Sequence, residues 1–253
     1  MTGDADLTRN AFLGGRFHLW QPRRGYRAGV DPLLLAASVP ARAGQSVLEL
    51  GCGAGAASLA LAARVPGLEL TGVELQHRYA GLARRNAAEN GVELAVTEAD
   101  LGALPPDLRQ LRFDHVIANP PYFVAGAHSP ARDGGRRVAL GGETPLGDWI
   151  AVAARRLAPR GLLHMIQRAE RLPEMLAGCA GRLGSVEILP LCARQGDAPG
   201  LVILRARKDG RGQFRMHAAV AMHDAGAGLP QGKDYTARIA AVLRDGAPIG
   251  WPG

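Results

Sequence analysis

Between Ser46 and Ala118 short apolar runs alternate with longer helical stretches, and that alternation leaves few folds open to the chain. Val47 to Leu50 reads as a strand, Ala56 to Arg64 as a helix and Leu68 to Glu74 as a second strand. Gln76 to Glu89 follows as a helix closed by Asn90-Gly91, then Val92 to Val96 and Phe113 to Ala118 as strands three and four. Strands separated by helices pair in parallel through crossovers. Downstream, Leu146 to Leu157 and Leu172 to Leu183 read as helices and Leu162 to Ile166 as the fifth strand. Val186 to Leu191 and Leu201 to Ala206 complete the set, close enough in sequence to pair antiparallel. The expectation is an α/β fold: a seven-stranded, mostly parallel sheet with helices on both faces and an antiparallel last strand pair.

Glu49-Leu50-Gly51-Cys52-Gly53-Ala54-Gly55 lies where the first of these strands hands over to its helix. Glycines there let the backbone pass close to a ligand at a helix N-terminus. A glycine pattern alone is weak, but Glu74 ends the next strand 19 positions after Gly55, where a carboxylate can accept both hydroxyls of a ribose. Asp100, near the end of the third strand, is placed to receive the exocyclic amine of an adenine, and Glu98 competes for that role. The tight spacing favours S-adenosylmethionine over a nicotinamide dinucleotide.

Asn119-Pro120-Pro121-Tyr122 follows the fourth strand and suits methylation of a planar nitrogen. The lone pair of such an amine is delocalised, so the group must be held and polarised before it attacks. The Asn119 side-chain oxygen and the Pro120 carbonyl can each accept one N–H, favouring a pyramidal nitrogen. The two prolines fix the turn that carries these acceptors, and Tyr122 can stack on a flat base.

The formal net charge is +7, an attraction for polyanions, with arginines grouped in four stretches: 9–27, 132–137, 155–171 and 205–215. The expected partner is RNA. Cys52, Cys179 and Cys192 are too few and too scattered for a zinc or disulfide framework, so no structural metal is expected. No uncharged apolar run approaches the roughly 20 residues a membrane helix needs, and the start of the chain lacks a leader pattern, so a cytoplasmic monomer away from membranes is expected. The chain reads as one domain over 1–253, with 1–45 an extension packing near the cofactor and substrate site. In it Asp31 reads as a helix N-cap with Pro32 at the first helical position. Val124 to Glu143, rich in glycine and arginine, reads as a loop beside the site, and His128 in it is the one histidine placed to matter. Trp20 lies among arginines, where it packs or stacks on RNA.

Glu49 to Gly55, Glu74, Asp100 and Asn119 to Tyr122, in this order, resemble the class I S-adenosylmethionine-dependent methyltransferases that modify amines, with their Rossmann-like sheet. The whole chain resembles the bacterial valine-tRNA adenine-N6 methyltransferases, through Gly25 to Leu35, Asn119 to Phe123 and Asp234-Tyr235-Thr236. It departs from them at Pro32, where that family often has glycine, and in a C-terminus ending Ala247-Pro248-Ile249-Gly250-Trp251. The resemblance implies that Asn119 and Pro120 hold the target amine, that Tyr122 stacks on the base and that Phe123 walls the pocket. It implies S-adenosylmethionine held by Asp31, Glu49, Gly51, Gly53, Gly55, Glu74, Asp100 and Asn119. Substrate contacts would add Arg132, Arg136 and Arg137 to Tyr122 and Phe123. Adenine N6 in tRNA is the implied acceptor, with protein glutamine N5 and RNA guanine N2 as alternatives. A non-catalytic RNA-binding protein on the same fold is the reading from another class.

Overall fold

The structure is a computed structural model and describes residues 6–122, 144–224 and 234–251. A nine-stranded sheet organises it. At its centre lies β3 (Ser46–Leu50), flanked on one side by β4 (Glu69–Glu74) and β5 (Leu94–Glu98), and on the other by β6 (Phe113–Ala118) and β7 (Leu157–Arg168). β3 to β7 are mutually parallel. Beyond β7 comes β9 (Pro199–Arg207), antiparallel to both β7 and β8 (Gly184–Cys192). The seven expected strands and the antiparallel pair are therefore present. Two strands of two residues each, β10 (Arg215–Met216) and β11 (Val220–Ala221), add to the β8 edge.

Both faces of β3 are covered, as its nearly unbroken apolar run requires. Val47 enters one core with α1 (Asp31–Ser38), α2 (Ala56–Arg64) and α3 (His77–Glu89). Leu48 and Leu50 enter the opposite core with α4 (Pro106–Gln110), α5 (Leu146–Arg156) and α6 (Leu172–Cys179). Small residues let the layers close. A Cβ on Gly178 of α6 would lie 2.7 Å from Ile150 of α5, and one on Gly72 of β4 would lie 2.8 Å from the Cys52 sulfur.

The first residues form an antiparallel hairpin, β1 (Leu7–Phe12) and β2 (Phe17–Pro22), which the sequence reading did not anticipate. It docks on α3 through two amides one helical turn apart. Asn86 accepts from the Trp20 amide (2.8 Å) and donates to the Trp20 carbonyl (3.1 Å); Asn90 does the same for His18 at 2.8 and 2.7 Å. The i, i+4 spacing on α3 thus matches alternate residues of β2, and each side chain stands in for a neighbouring strand. Trp20 packs here rather than standing free: its indole donates to Glu89 (2.7 Å) and the Arg85 guanidinium lies 4.2 Å from its ring centre. At the other terminus the Trp251 indole donates to the Ser38 carbonyl (2.8 Å), fixing the tail on α1. Thr236 caps α7 (Ala237–Ala240) by accepting from the Ile239 amide. Among the described residues no helix is long and apolar enough to cross a membrane.

Candidate active site

Chain order runs from β3 outward through β4 and β5, then returns across β3 to β6. This reversal opens a crevice at the carboxyl ends of the strands, where α/β sheets bind ligands. Leu50 pairs with Ala118 and with Val73, so the glycine turn, Glu74 and Asn119 emerge side by side. Gly51, Gly53 and Gly55 all have left-handed φ, of 64°, 54° and 87°. Gly51 is doubly constrained, because a Cβ there would sit 2.6 Å from the Trp149 ring. At Gly53 the one near neighbour of a Cβ among the described residues would be the Tyr26 ring at 3.7 Å, so the turn presents bare backbone beneath an aromatic side chain.

Glu74 is buried at the end of β4, with one carboxylate oxygen accepting from the Gly53 amide and the other from the Gln76 amide, both at 2.9 Å. Burial raises its pKa, and these backbone donors oppose the rise. Beside it Leu75 is 53% exposed, an apolar side chain left uncovered next to the buried carboxylate. Asp100 is exposed and accepts from the Gly102 amide (2.7 Å), capping a short turn. Glu98, its competitor, is engaged by His77 at 2.8 Å. Glu49 points inward: it is 3% exposed, and one oxygen takes both the amide (3.0 Å) and the hydroxyl (2.5 Å) of Ser58 in the first turn of α2. Burial pushes its carboxyl up to about 7. Its visible role is to tie β3 to the N-terminus of α2, where negative charge is favoured.

Asn119 donates a long hydrogen bond (3.4 Å) to the Tyr26 hydroxyl, and its side-chain oxygen has no partner among the described residues. The Pro120 carbonyl accepts from Gln167 Nε2 (3.3 Å), as does the Pro121 carbonyl (3.4 Å). Gln167 is fully buried at the end of β7, and its own oxygen takes the Arg168 amide (2.9 Å). Arg171, in a bidentate pair with Glu174, also reaches the Pro121 carbonyl (3.5 Å). The Tyr122 hydroxyl donates to Asp31 (2.7 Å), and the Arg168 guanidinium lies 5.9 Å from the Tyr122 ring centre.

Asp31 is therefore not the N-cap of α1. Val30 occupies that position without a side-chain bond, and the Asp31 carboxylate, half-buried in the first turn, serves Tyr122. Tyr26, Leu75 and Gln167 belong to the site but were missed in the sequence. Tyr26 lies inside the Gly25 to Leu35 stretch singled out above, and Gln167 directly follows the fifth strand, yet neither has a spacing that marks it. Phe123, Arg132, Arg136, Arg137 and His128, with the loop expected over 124–143, lie outside the described residues.

Residues 29–187 match the family model described as the methyltransferase small domain. A protein of Porphyromonas gingivalis named tRNA1(Val) (adenine(37)-N6)-methyltransferase is 33% identical over 203 residues, covering 73% of this chain and 77% of its own. One of the same name from Aeromonas hydrophila is 31% identical over 222 residues, covering 84% and 92%. Among solved structures, a protein of Agrobacterium tumefaciens described as a predicted O-methyltransferase superposes with TM-score 0.67 at 29% identity, over 84% of this chain and 94% of that one. The glycine turn, the buried Glu74 and the Asn-Pro-Pro-Tyr turn thus sit inside a matched segment of known kind, and the chain belongs to the methyltransferase small domain family.

Proposed function

We propose that the protein transfers a methyl group from S-adenosylmethionine to the exocyclic N6 of an adenine in tRNA. The Asn119 oxygen, at the end of β6 beside the glycine turn and without a partner among the described residues, is the observation that carries the reading. The crevice suits the cofactor: Gly53 offers bare backbone, Glu74 keeps acceptor capacity after its two backbone bonds, and Leu75 offers an apolar surface for a flat ring. Asp100, with one oxygen uncommitted, serves the adenine amine better than Glu98, which His77 holds. When bound, the cofactor supplies a methyl group on a positively charged sulfur.

The chain's own residues hold and aim the acceptor. The Asn119 oxygen and the second lone pair of the Pro120 carbonyl accept the two N–H groups of the amine, directing its lone pair away from them. Gln167 already occupies one lone pair of that carbonyl and fixes its direction. Tyr122, pinned by Asp31, offers its ring to the base. Phe123 and Arg132, Arg136 and Arg137 complete the substrate side. The amine's proton becomes acidic only as the new bond forms, so release to water suffices and alignment is the main contribution. The chain works as one domain in the cytoplasm, as a monomer, with the N-terminal extension packing near the cofactor and substrate site through Tyr26 and Asp31.

Radiolabelled S-adenosylmethionine incubated with the protein and separated pools of tRNA, ribosomal RNA and protein tests this. Label is expected in tRNA; label confined to protein overturns the assignment.

A further inference from the structure

At the opposite end of β6 from the Asn-Pro-Pro-Tyr turn, four arginines crowd one corner. Arg109, Arg112 and Arg155 are exposed and Arg156 is buried beneath them. None has a carboxylate partner among the described residues. Arg156 instead donates to the carbonyls of Leu108 (3.1 Å) and Arg109 at the end of α4, and Arg112 donates to those of Arg109, Gln110 and Leu111 at 3.2, 3.3 and 2.9 Å. Burial lowers the pKa of Arg156, and the charges of Arg112, Arg155 and Arg109 lower it further, so all three lie within Coulombic reach of it. Asp114, at the start of β6, accepts the amide (2.9 Å) and hydroxyl (3.0 Å) of Ser46 through one carboxylate oxygen. Capping the C-terminus of α4 occupies Arg112 and Arg156, and leaves the exposed Arg109 and Arg155 with no carboxylate among the described residues. Four guanidinium groups gathered at one corner make a field that attracts a polyanion.

The positive surface continues along the same end of the sheet. Phe113 pairs with Leu157 where β6 and β7 begin, and three residues on the Arg160 carbonyl accepts from Arg207 (3.2 Å) of β9. We infer that this corner is a second RNA-contacting surface, which binds the sugar-phosphate backbone of a folded RNA at a distance from the methylated nucleotide. The six residues of β6 separate it from the Asn-Pro-Pro-Tyr turn, roughly 20 Å at about 3.3 Å per residue. A short loop entering the crevice cannot span that distance, whereas a folded RNA lying along the edge of the protein can. Guanidinium groups fixed on backbone carbonyls are preorganised for phosphate oxygens.

The inference rests on RNA being the substrate, and the Arg112→Gln/Arg155→Gln double variant tests it, since neither residue belongs to the crevice. Affinity for full-length tRNA and for a hairpin holding only the target loop is measured against salt concentration, alongside methylation of both and a thermal melt. For tRNA the slope of log K against log salt should fall by about 2 and KM should rise, with kcat, the melting midpoint and all hairpin values unchanged. An unchanged slope, an equal loss on both RNAs, or tighter wild-type binding to phosphatidylglycerol vesicles than to tRNA would overturn it. Label confined to protein in the pool experiment would sink both readings. RNA labelling with an unchanged slope removes this surface and leaves the methylation reading standing.

Discussion

The Tyr122 hydroxyl donates a 2.7 Å hydrogen bond to the Asp31 carboxylate, joining the end of β6 to the start of α1 across 91 positions of sequence. Burial raises the pKa of Asp31, which the hydroxyl and Arg168 oppose, and raises that of Tyr122 as well. The aromatic ring is therefore aimed by a residue of the N-terminal segment. Asp31→Ala should lower kcat by about tenfold while leaving S-adenosylmethionine affinity in calorimetry within about twofold. A large loss of cofactor affinity in Asp31→Ala, with none in Tyr122→Phe, would make Asp31 a cofactor ligand instead. Since the bond is charge-assisted, a double-mutant cycle with Tyr122→Phe should give a coupling of about 1.5–3 kcal/mol in unfolding experiments.

Asn119→Ala should lose methyl transfer by roughly 10²–10³-fold, the scale for removing one preorganised polar contact to the reacting group. Cofactor binding should persist. Single-turnover rates at saturating cofactor check this, and wild-type turnover in the variant would refute the assigned role.

Glu74→Ala should act in the reverse sense, weakening cofactor affinity by roughly 10–100-fold as hydrogen bonds to a charged acceptor are lost. Part of the effect would come from the Gly53 amide, which loses its 2.9 Å acceptor. Unchanged affinity by calorimetry would count against the ribose contact.

Gln167 holds two adjacent carbonyls with one amide group. Gln167→Leu keeps the bulk and removes the donor, so kcat should fall by about tenfold with KM and cofactor affinity little changed, as expected when only alignment is lost. A change confined to melting temperature would reduce Gln167 to a packing residue.

Glu49 sets a pH dependence of stability. Its carboxyl is raised to about 7 in the folded protein from an ordinary 4.5. The folded state therefore holds a proton that the unfolded state has released between those values, and stability from this group, full below pH 4.5, declines as pH rises to 7. The shift corresponds to a loss of about 3 kcal/mol. Urea midpoints measured from pH 4.5 to 8 should show that decline in the wild type and a flatter profile in Glu49→Gln; parallel profiles would contradict it.

Local features of the sequence were readable because their physics is local. The Gly51, Gly53 and Gly55 spacing, the acid ending each of two strands and the proline-stiffened Asn119 turn act within a few residues of themselves. The hairpin was readable in principle from Gly14-Gly15 between two short runs, but Arg9 and Asn10 break the apolar alternation in β1, and its docking depends on Asn86 and Asn90. Those asparagines resemble ordinary polar residues of a helix until β2 is placed against them.

The sequence by itself determined the βαβ order, the parallel sheet and the chemical kind of the crevice, because strand and helix periods and turn residues are carried by neighbours in the chain. Only the tertiary structure decided which groups hold that crevice in shape: Asp31 on Tyr122, Tyr26 over Gly53, and Gln167 beneath Pro120 and Pro121. It also decided that Arg109, Arg112, Arg155 and Arg156 share one corner. The reason is distance along the chain: the sheet's crossover order sets residues tens of positions apart within hydrogen-bonding or Coulombic reach, and no periodicity in the sequence records that reach.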